Sequence, residues 1–258
     1  CGRPSVLTLH GNFREIAKTI GARPLSYFGI AAKLERFCLP RVSGVHCLSS
    51  HTKTSVASLA NRTWIIPNAV NQRFFDVVRI PAHDPYIICV AGINKWKNPL
   101  LLVQGGDALQ QRFPKTEIHF IGDSDPNHPD GKTFFDAIAQ REWCHYHGQC
   151  PPEALRPHME RATCAVLPSR QENFGLALAE ALAAGIPALG SRVGGIPDVI
   201  QDGKTGFLFT SDSLADLAEK LITIHSDPGL AARFSIEGKA DARLRFSSQA
   251  AAAAYVAM

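Results

Sequence analysis

The chain has 258 residues, 45% of them hydrophobic, which excludes a disordered protein and leaves room for one or two domains with real cores. Its 27 Lys and Arg against 23 Asp and Glu give a mild +4, spread along the chain, which suits an anionic small ligand; no basic run interleaved with aromatics points to nucleic acid. No apolar run reaches the ~18 residues of a membrane span, no secretory signal is expected, and seven cysteines without a regular framework argue for a reducing compartment rather than disulfides.

In chain order the elements alternate. Val6–Leu9 is expected as a short strand ending at His10-Gly11, followed by a helix over about Ser26–Phe37. Val45–Leu48 is a second strand, with Ser50 or Thr52 as the cap of the next helix. Trp64–Ile66 is a third, broken at Pro67-Asn68, where a hinge is placed. Tyr86–Val90 is a strand ended by Gly92, and Asn98-Pro99 opens a helix because proline suits the first helical position. Ile118–Ile121 is a strand ending at Gly122-Asp123, 125–131 a loop, Thr133–Glu142 a helix and His145–His147 a strand closed by Gly148. A helix over Pro152–Glu160, a strand over Cys164–Leu167 and another over Ala188–Gly190 follow. The pair Gly194-Gly195 is a turn opening a helix at Ile196. Ser213–His225 and the alanine-rich Ser247–Ala257 are expected as helices. This order predicts an α/β protein with parallel sheets. In such sheets ligands sit beyond the carboxyl ends of strands, which singles out His10, Gly92, Gly122, Gly148 and Ser169.

The segment from Pro168 to Asp198 is the densest in chemistry. Glu172 precedes a short turn, Asn173-Phe174-Gly175. A nearly wholly apolar helix then runs from about Leu176 to Ala184, stopped by Gly185-Ile186-Pro187. It carries one carboxylate, Glu180, with no Lys or Arg one turn away, so a partner must come from elsewhere, a ligand hydroxyl being one candidate. The free N–H groups near Gly175 and Leu176 form an anion site. The cluster Cys144, His145, His147 and Cys150 offers four ligand types in seven residues, yet strand alternation would send Cys144 and His145 to opposite faces, and no metal is expected there. His119, His145, His147 and His158 are taken as structural, and so is Asp123 of Asp123-Ser124-Asp125.

Glu172 and Glu180 at this spacing, within Glu172–Pro187, resemble the E-x7-E signature of the retaining glycosyltransferases of family 4. So do Trp64–Phe75, Val90–Gly105, Ile118–Ser124, His145–Cys150 and Asp202–Phe209, in the family's order. The resemblance implies the GT-B architecture: two Rossmann-like lobes, the N-terminal one incomplete. It divides the chain into a partial acceptor-side lobe at 1–69, a nucleotide-sugar lobe at 70–240 and a final helix at 241–258 returning to the first lobe. The family's first lobe usually starts about a hundred residues earlier, about one domain's worth, so the chain is expected to be a fragment.

The resemblance also assigns roles. Glu172 would face the donor sugar and the charge building at its anomeric carbon, with Glu180 on the nucleotide ribose. Asn173, Phe174, Gly175 and Leu176 would offer backbone donors to the diphosphate. Lys97 would place positive charge on the leaving diphosphate. His10, within Leu7–Asn12, would lie near the donor sugar. Gly92, Gly122 and Gly148 would leave room for the nucleotide. The family's arginine after the strand-end glycine is replaced by Ile93, with Lys95 or Asn94 as compensation. No cofactor and no metal are expected. The implied partners are a nucleotide-diphosphate-sugar donor and a glycan, lipid-linked or small-molecule acceptor, in the cytoplasm, with peripheral membrane association as a further implication. The rival readings are a non-catalytic nucleotide-sugar or glycan-binding module, another GT-B enzyme such as an epimerase or a glycosyl phosphorylase, and a structural fragment that binds nothing.

Overall fold

A computed structural model describes residues 4–19, 21–80 and 84–258. The chain opens with β1 (Val6–Leu9), α1 (Phe13–Thr19), α2 (Tyr27–Cys38), a 3-10 turn at Leu39–Arg41, β2 (Gly44–Cys47), α3 (Ser50–Val56) and β3 (Thr63–Ile65). These strands form a parallel three-stranded sheet in the order β1-β2-β3. The short α4 (Gln72–Phe75) leads into β4 (Tyr86–Val90), α5 (Pro99–Arg112), β5 (Glu117–Ile121), α6 (Pro129–Ile138), β6 (Cys144–Tyr146), α7 (Pro152–Arg161) and β7 (Cys164–Leu167). Then come α8 (Leu176–Ala183), β8 (Ala188–Ser191), α9 (Ile196–Val199), β9 (Gly206–Phe209), α10 (Leu214–Ser226), α11 (Pro228–Phe246) and α12 (Ser248–Val256).

The second sheet is parallel throughout, in the order β6-β5-β4-β7-β8-β9. Its central strands are apolar at nearly every position because helices cover both faces. On one face Ile87, Cys89, Ile118, Phe120 and Val166 pack under Leu102, Leu109, Leu217 and Leu221 of α5 and α10. On the other, Ile88, Ala165, Leu167 and Ala188 pack under α8 and α4. The chain moves outward from β4 through β5 to β6, then starts again at β7 on the other side of β4. The loops after β4 and β7 therefore part in opposite directions and leave a crevice at their carboxyl ends.

Several boundaries differ from expectation. The cap of α3 is Ser49, whose hydroxyl accepts from the Thr52 N–H at 3.2 Å, not Ser50 or Thr52. The helix expected from Thr133 begins at Pro129, capped by the His128 ring, and ends at Ile138. Polar capping, not the apolar run, sets these starts. The 19-residue α11 has no counterpart among the expected elements. Its buried residues are Phe234, Gly238, Ala242 and Phe246, a seam of one residue every four, half of it Gly and Ala. A β-carbon at Gly238 would stand 2.8 Å from Leu182 Cδ2, so the Leu182 side chain of α8 packs directly on the backbone of α11. Such a seam leaves little apolar period to detect.

The two sheets are joined at named points. The Asp198 carboxylate accepts from the N–H and hydroxyl of Ser50, and the Val70 N–H donates to the Phe246 carbonyl at 2.7 Å. The Tyr255 hydroxyl of α12 meets His46 Nδ1 of β2 at 3.2 Å. On the far side of the first sheet, α2 exposes Tyr27, Ile30, Leu34 and Phe37 along one helical stripe. No helix among the described residues is long and apolar enough to cross a membrane.

Candidate functional site

The loops after β4 and β7 bring two of the residues the sequence singled out into contact. Lys97 comes from the first loop and Glu172 from the second, and Lys97 Nζ donates to Glu172 Oε2 at 2.5 Å. Both are shielded, with 29% of the lysine side chain and 14% of the carboxylate side chain exposed. The other carboxylate oxygen accepts from the Asn173 N–H at 3.0 Å. Asn173 Nδ2 in turn donates to the His10 carbonyl at 3.1 Å. The end of β1 thus meets the turn that carries the acid, and His10 itself is exposed.

Gly175 caps α8 with a left-handed φ of 94°, which turns the chain so that the first N–H groups of the helix face outward. Phe174 is different: its side chain is buried and packs edge-on against Phe246 with centroids 5.6 Å apart. Only its backbone is available to a ligand. The turn is held from below by Gly194 and Gly195. The Gly195 N–H donates to the Glu172 carbonyl at 3.0 Å, and β-carbons at 194 and 195 would stand 1.7 Å from Glu172 O and 2.2 Å from Asn173 O. The two glycines therefore do more than open α9; they are the bed on which the acid-bearing turn lies.

The three strand-end glycines cluster at the same edge of the sheet. The Gly122 N–H donates to the Gly148 carbonyl at 2.9 Å, and a β-carbon at Gly122 would fall 2.1 Å from the Ala91 carbonyl oxygen. One at Gly92 would meet Asp123 Oδ1 at 2.7 Å. Close backbone approach requires glycine at 122, while Gly148, with open space around it, is favoured by its left-handed φ of 68°.

Residues that sequence reasoning did not single out complete the site. The loop after β4 is pinned by Asn98 and Asp212, the two non-glycine residues of positive φ among those described, whose side chains are hydrogen-bonded at 3.0 Å. Arg170 donates to Asp212 Oδ1 at 2.8 Å and to the Lys95 carbonyl at 2.9 Å. This network fixes the loop that presents Lys97, and its members lie far apart in sequence, so spacing carries no sign of it. Ile93 is buried in the core, and its N–H donates to the Asp123 carbonyl at 2.8 Å. The side chain here packs into the core and supplies no cation to the crevice. Lys95 lies over the Trp96 ring at 4.9 Å.

Glu180 stands one helical face away, near the base of a small apolar recess lined by Val90, Met159, Leu167 and Ala177. Burial raises its carboxyl from 4.5 to about 7, an effect the Arg73 guanidinium of α4 partly opposes. Arg73, 107 positions upstream, is the cation that local sequence lacked. Unfolded, the carboxyl titrates near 4.5; folded, near 7. The bound proton favours the folded chain fully below about 4.5, and that contribution is lost as pH rises through about 7. Stability is thus expected to fall across this window by about 1–3 kcal/mol. Glu180→Gln is expected to remove that part of the slope, checked by urea unfolding of both proteins at about pH 5 and about pH 8. Equal slopes in the two proteins would refute it.

A family profile described as "Glycosyl transferases group 1" matches residues 70–241, two thirds of the chain, including both loops and Glu180. The chain belongs to this glycosyltransferase family. Among its relatives, the D-inositol 3-phosphate glycosyltransferase of Arthrobacter sp. (strain FB24) is 30% identical over 152 residues, covering 58% of this chain and 36% of that protein. The sulfoquinovosyl transferase SQD2 of Arabidopsis thaliana is 33% identical over 146 residues, covering 55% and 27%. The chain thus matches about a third of the length of these relatives. In three dimensions it is similar to sucrose-phosphate synthase from Thermosynechococcus elongatus, with a TM-score of 0.81 at 23% identity over 98% of this chain and 66% of the other. It is equally similar, at 0.81 and 20% identity, to Anabaena Alr3699/HepE solved in complex with UDP and glucose, covering 99% and 71%. The GT-B class of fold expected from the sequence is therefore established, as is membership of the glycosyltransferase family.

Proposed function

We propose that this chain is the donor-binding part of a glycosyltransferase that moves a sugar from a nucleotide diphosphate to an acceptor with retention of anomeric configuration. The observation that carries this reading is the apposition of Lys97 and Glu172 in the crevice between β4 and β7. A departing nucleoside diphosphate gains negative charge as the glycosidic bond breaks, and a fixed ammonium at that oxygen lowers the barrier. The outward N–H groups at the start of α8 add partial positive charge beside it. Glu172, held by the Gly194-Gly195 bed, is positioned to stabilise positive charge at the anomeric carbon. The acceptor oxygen attacks from the leaving-group side, and the diphosphate oxygen takes its proton; the protein contributes position and charge. Glu180 receives the ribose hydroxyls, which supply the donors that its apolar recess withholds. His10 is placed toward the sugar, and Gly92, Gly122 and Gly148 give the nucleotide its room. The transfer step needs no metal or cofactor in this reading.

HepE's complex with UDP and glucose supports a uridine donor as the first candidate. A thermal-shift panel of UDP, GDP, ADP and their sugar conjugates on this chain and on Glu180→Ala tests it. One base is expected to raise the melting temperature selectively, with the shift reduced in the variant. No shift with any nucleotide, from a folded sample, would overturn the reading. The burial of Ile93 favours a second reading, donor binding without turnover. A nucleotide shift accompanied by no sugar release in the presence of acceptor would select it.

A further inference from the structure

Four histidines have no part in the crevice. His119 lies on β5, His145 on β6, His147 just beyond it, and His158 on α7. Side chains alternate along a strand, so His119, its register partner His145, and His147 share the sheet face that α7 covers. Tyr86 and Glu117 stand on that same face, while Cys144 and Tyr146 stand on the other. The close Cys-His spacing in sequence is therefore misleading: Cys144 leaves the group, and His119 and His158 enter it from other elements.

The geometry is that of a ligand set. His119, His147 and His158 each offer a ring nitrogen within 4.8 Å of the other two. His119 Nδ1 and His147 Nε2 are 2.9 Å apart. Two imidazoles sharing a tetrahedral ion at ~2.0 Å keep their nitrogens about 3.3 Å apart, so this pair would need to part by only a few tenths of an ångström. The opposite ring nitrogens already have outer partners. Glu117 Oε2 lies 3.3 Å from His119 Nε2, and the Tyr86 hydroxyl 2.7 Å from His158 Nδ1. A carboxylate behind His119 and a hydroxyl behind His158 are the arrangement that orients metal-bound histidine. His119 is buried and His147 exposed, so an ion could enter from the outer side and keep one position for water. A surface groove of about 710 Å³, lined by Tyr86, Glu117, His145 and Arg161 among others, adjoins the cluster. Arg161 lies 3.6 Å from Glu117, which offsets its charge.

We infer that His119, His147 and His158 bind a divalent ion of the zinc class, with Glu117 and Tyr86 as outer partners. The ion ties the edge strand β6 and helix α7 to β5.

The test uses the whole chain, stripped by chelator, with Zn²⁺ and Co²⁺ as probes. Zn²⁺ at about a hundred times its Kd is expected to raise the melting temperature by about 5 °C. Co²⁺ is expected to give the visible absorption of a four-coordinate site with three histidine nitrogens and one water, at one ion per chain. His147→Gln and His158→Gln, neither at a buried position, are each expected to abolish the Co²⁺ band and weaken Zn²⁺ binding at least about tenfold. Both are expected to leave any nucleotide-induced shift unchanged, which separates this site from the crevice. No ion binding by the folded chain at about 100 μM, or undiminished binding in the double variant H147Q/H158Q, would overturn the inference.

Discussion

Lys97→Ala is expected to lower the rate of sugar transfer by about a hundred- to a thousandfold, the range seen when one preorganised charge or donor is removed from a developing anion. The lysine is pre-positioned: its backbone N–H bonds Asn94 Oδ1 at 3.1 Å, and its loop is pinned through Asn98, Asp212 and Arg170. The ammonium therefore need not be ordered during the reaction, and the loss should fall mainly on kcat. Removing one partner of this shielded pair leaves the Glu172 carboxylate without its cation, which should cost the folded state about 1–3 kcal/mol. Lys97→Arg keeps the charge but replaces a compact ammonium by a planar fork, and should recover only part of the rate. Steady-state kinetics with the donor named by the thermal-shift panel, plus melting curves of all three proteins, check this. A kcat unchanged in Lys97→Ala would remove the lysine from the leaving-group step.

Gly194→Ala should be more damaging than a single methyl group suggests. Its φ is 52°, left-handed, which costs a residue with a β-carbon about 1–2 kcal/mol. The new carbon would also stand 1.7 Å from the Glu172 carbonyl oxygen, so the turn that carries the acid must move. Displacing that turn also disturbs the Lys97–Glu172 pair and the contact from Asn173 to His10. A drop in kcat/KM of about a hundredfold or more is expected from misplacement on this scale, with a loss of stability of about 3 kcal/mol or more. Gly203→Ala is the control. Its φ is 73°, equally left-handed, but a β-carbon there has nothing within 4 Å. It should show the backbone cost alone, a few degrees in melting temperature, with activity retained. Equal activity losses in the two variants would mean the glycine bed has no special role. Normal activity in Gly194→Ala would mean the same.

The positions of the strands were largely legible. Tyr86–Val90 and Cys164–Leu167 stand out as short apolar runs bounded by breakers, because strands buried on both faces must be apolar at every step. The start of α2 was legible through Ser26, whose hydroxyl accepts the Gly29 N–H, since a cap is a local interaction over three residues. The failures are equally local in cause. The α8–α11 contact is made by Gly238 and Ala242, residues that carry no hydrophobic signal, so α11 was invisible. The grouping of His119 with His158 left no trace in the sequence either, because nothing in their spacing, 39 positions apart, marks a shared cluster.

The sequence by itself determined the chemistry available: an acid before a turn, a second acid in an apolar helix, a lysine after a strand-end glycine, and alternating elements that demand parallel sheets. These are short-range patterns, written by backbone sterics, capping and burial of one face. Only the tertiary structure decided which of those groups meet. The strand order, reversing between β4 and β7, brings Lys97 to Glu172 across 75 positions and Arg73 toward Glu180, and it turns Ile93 into the core. Strand order depends on which surfaces bury best against one another over the whole chain, and contacts so distant leave no period in the sequence from which to foresee them.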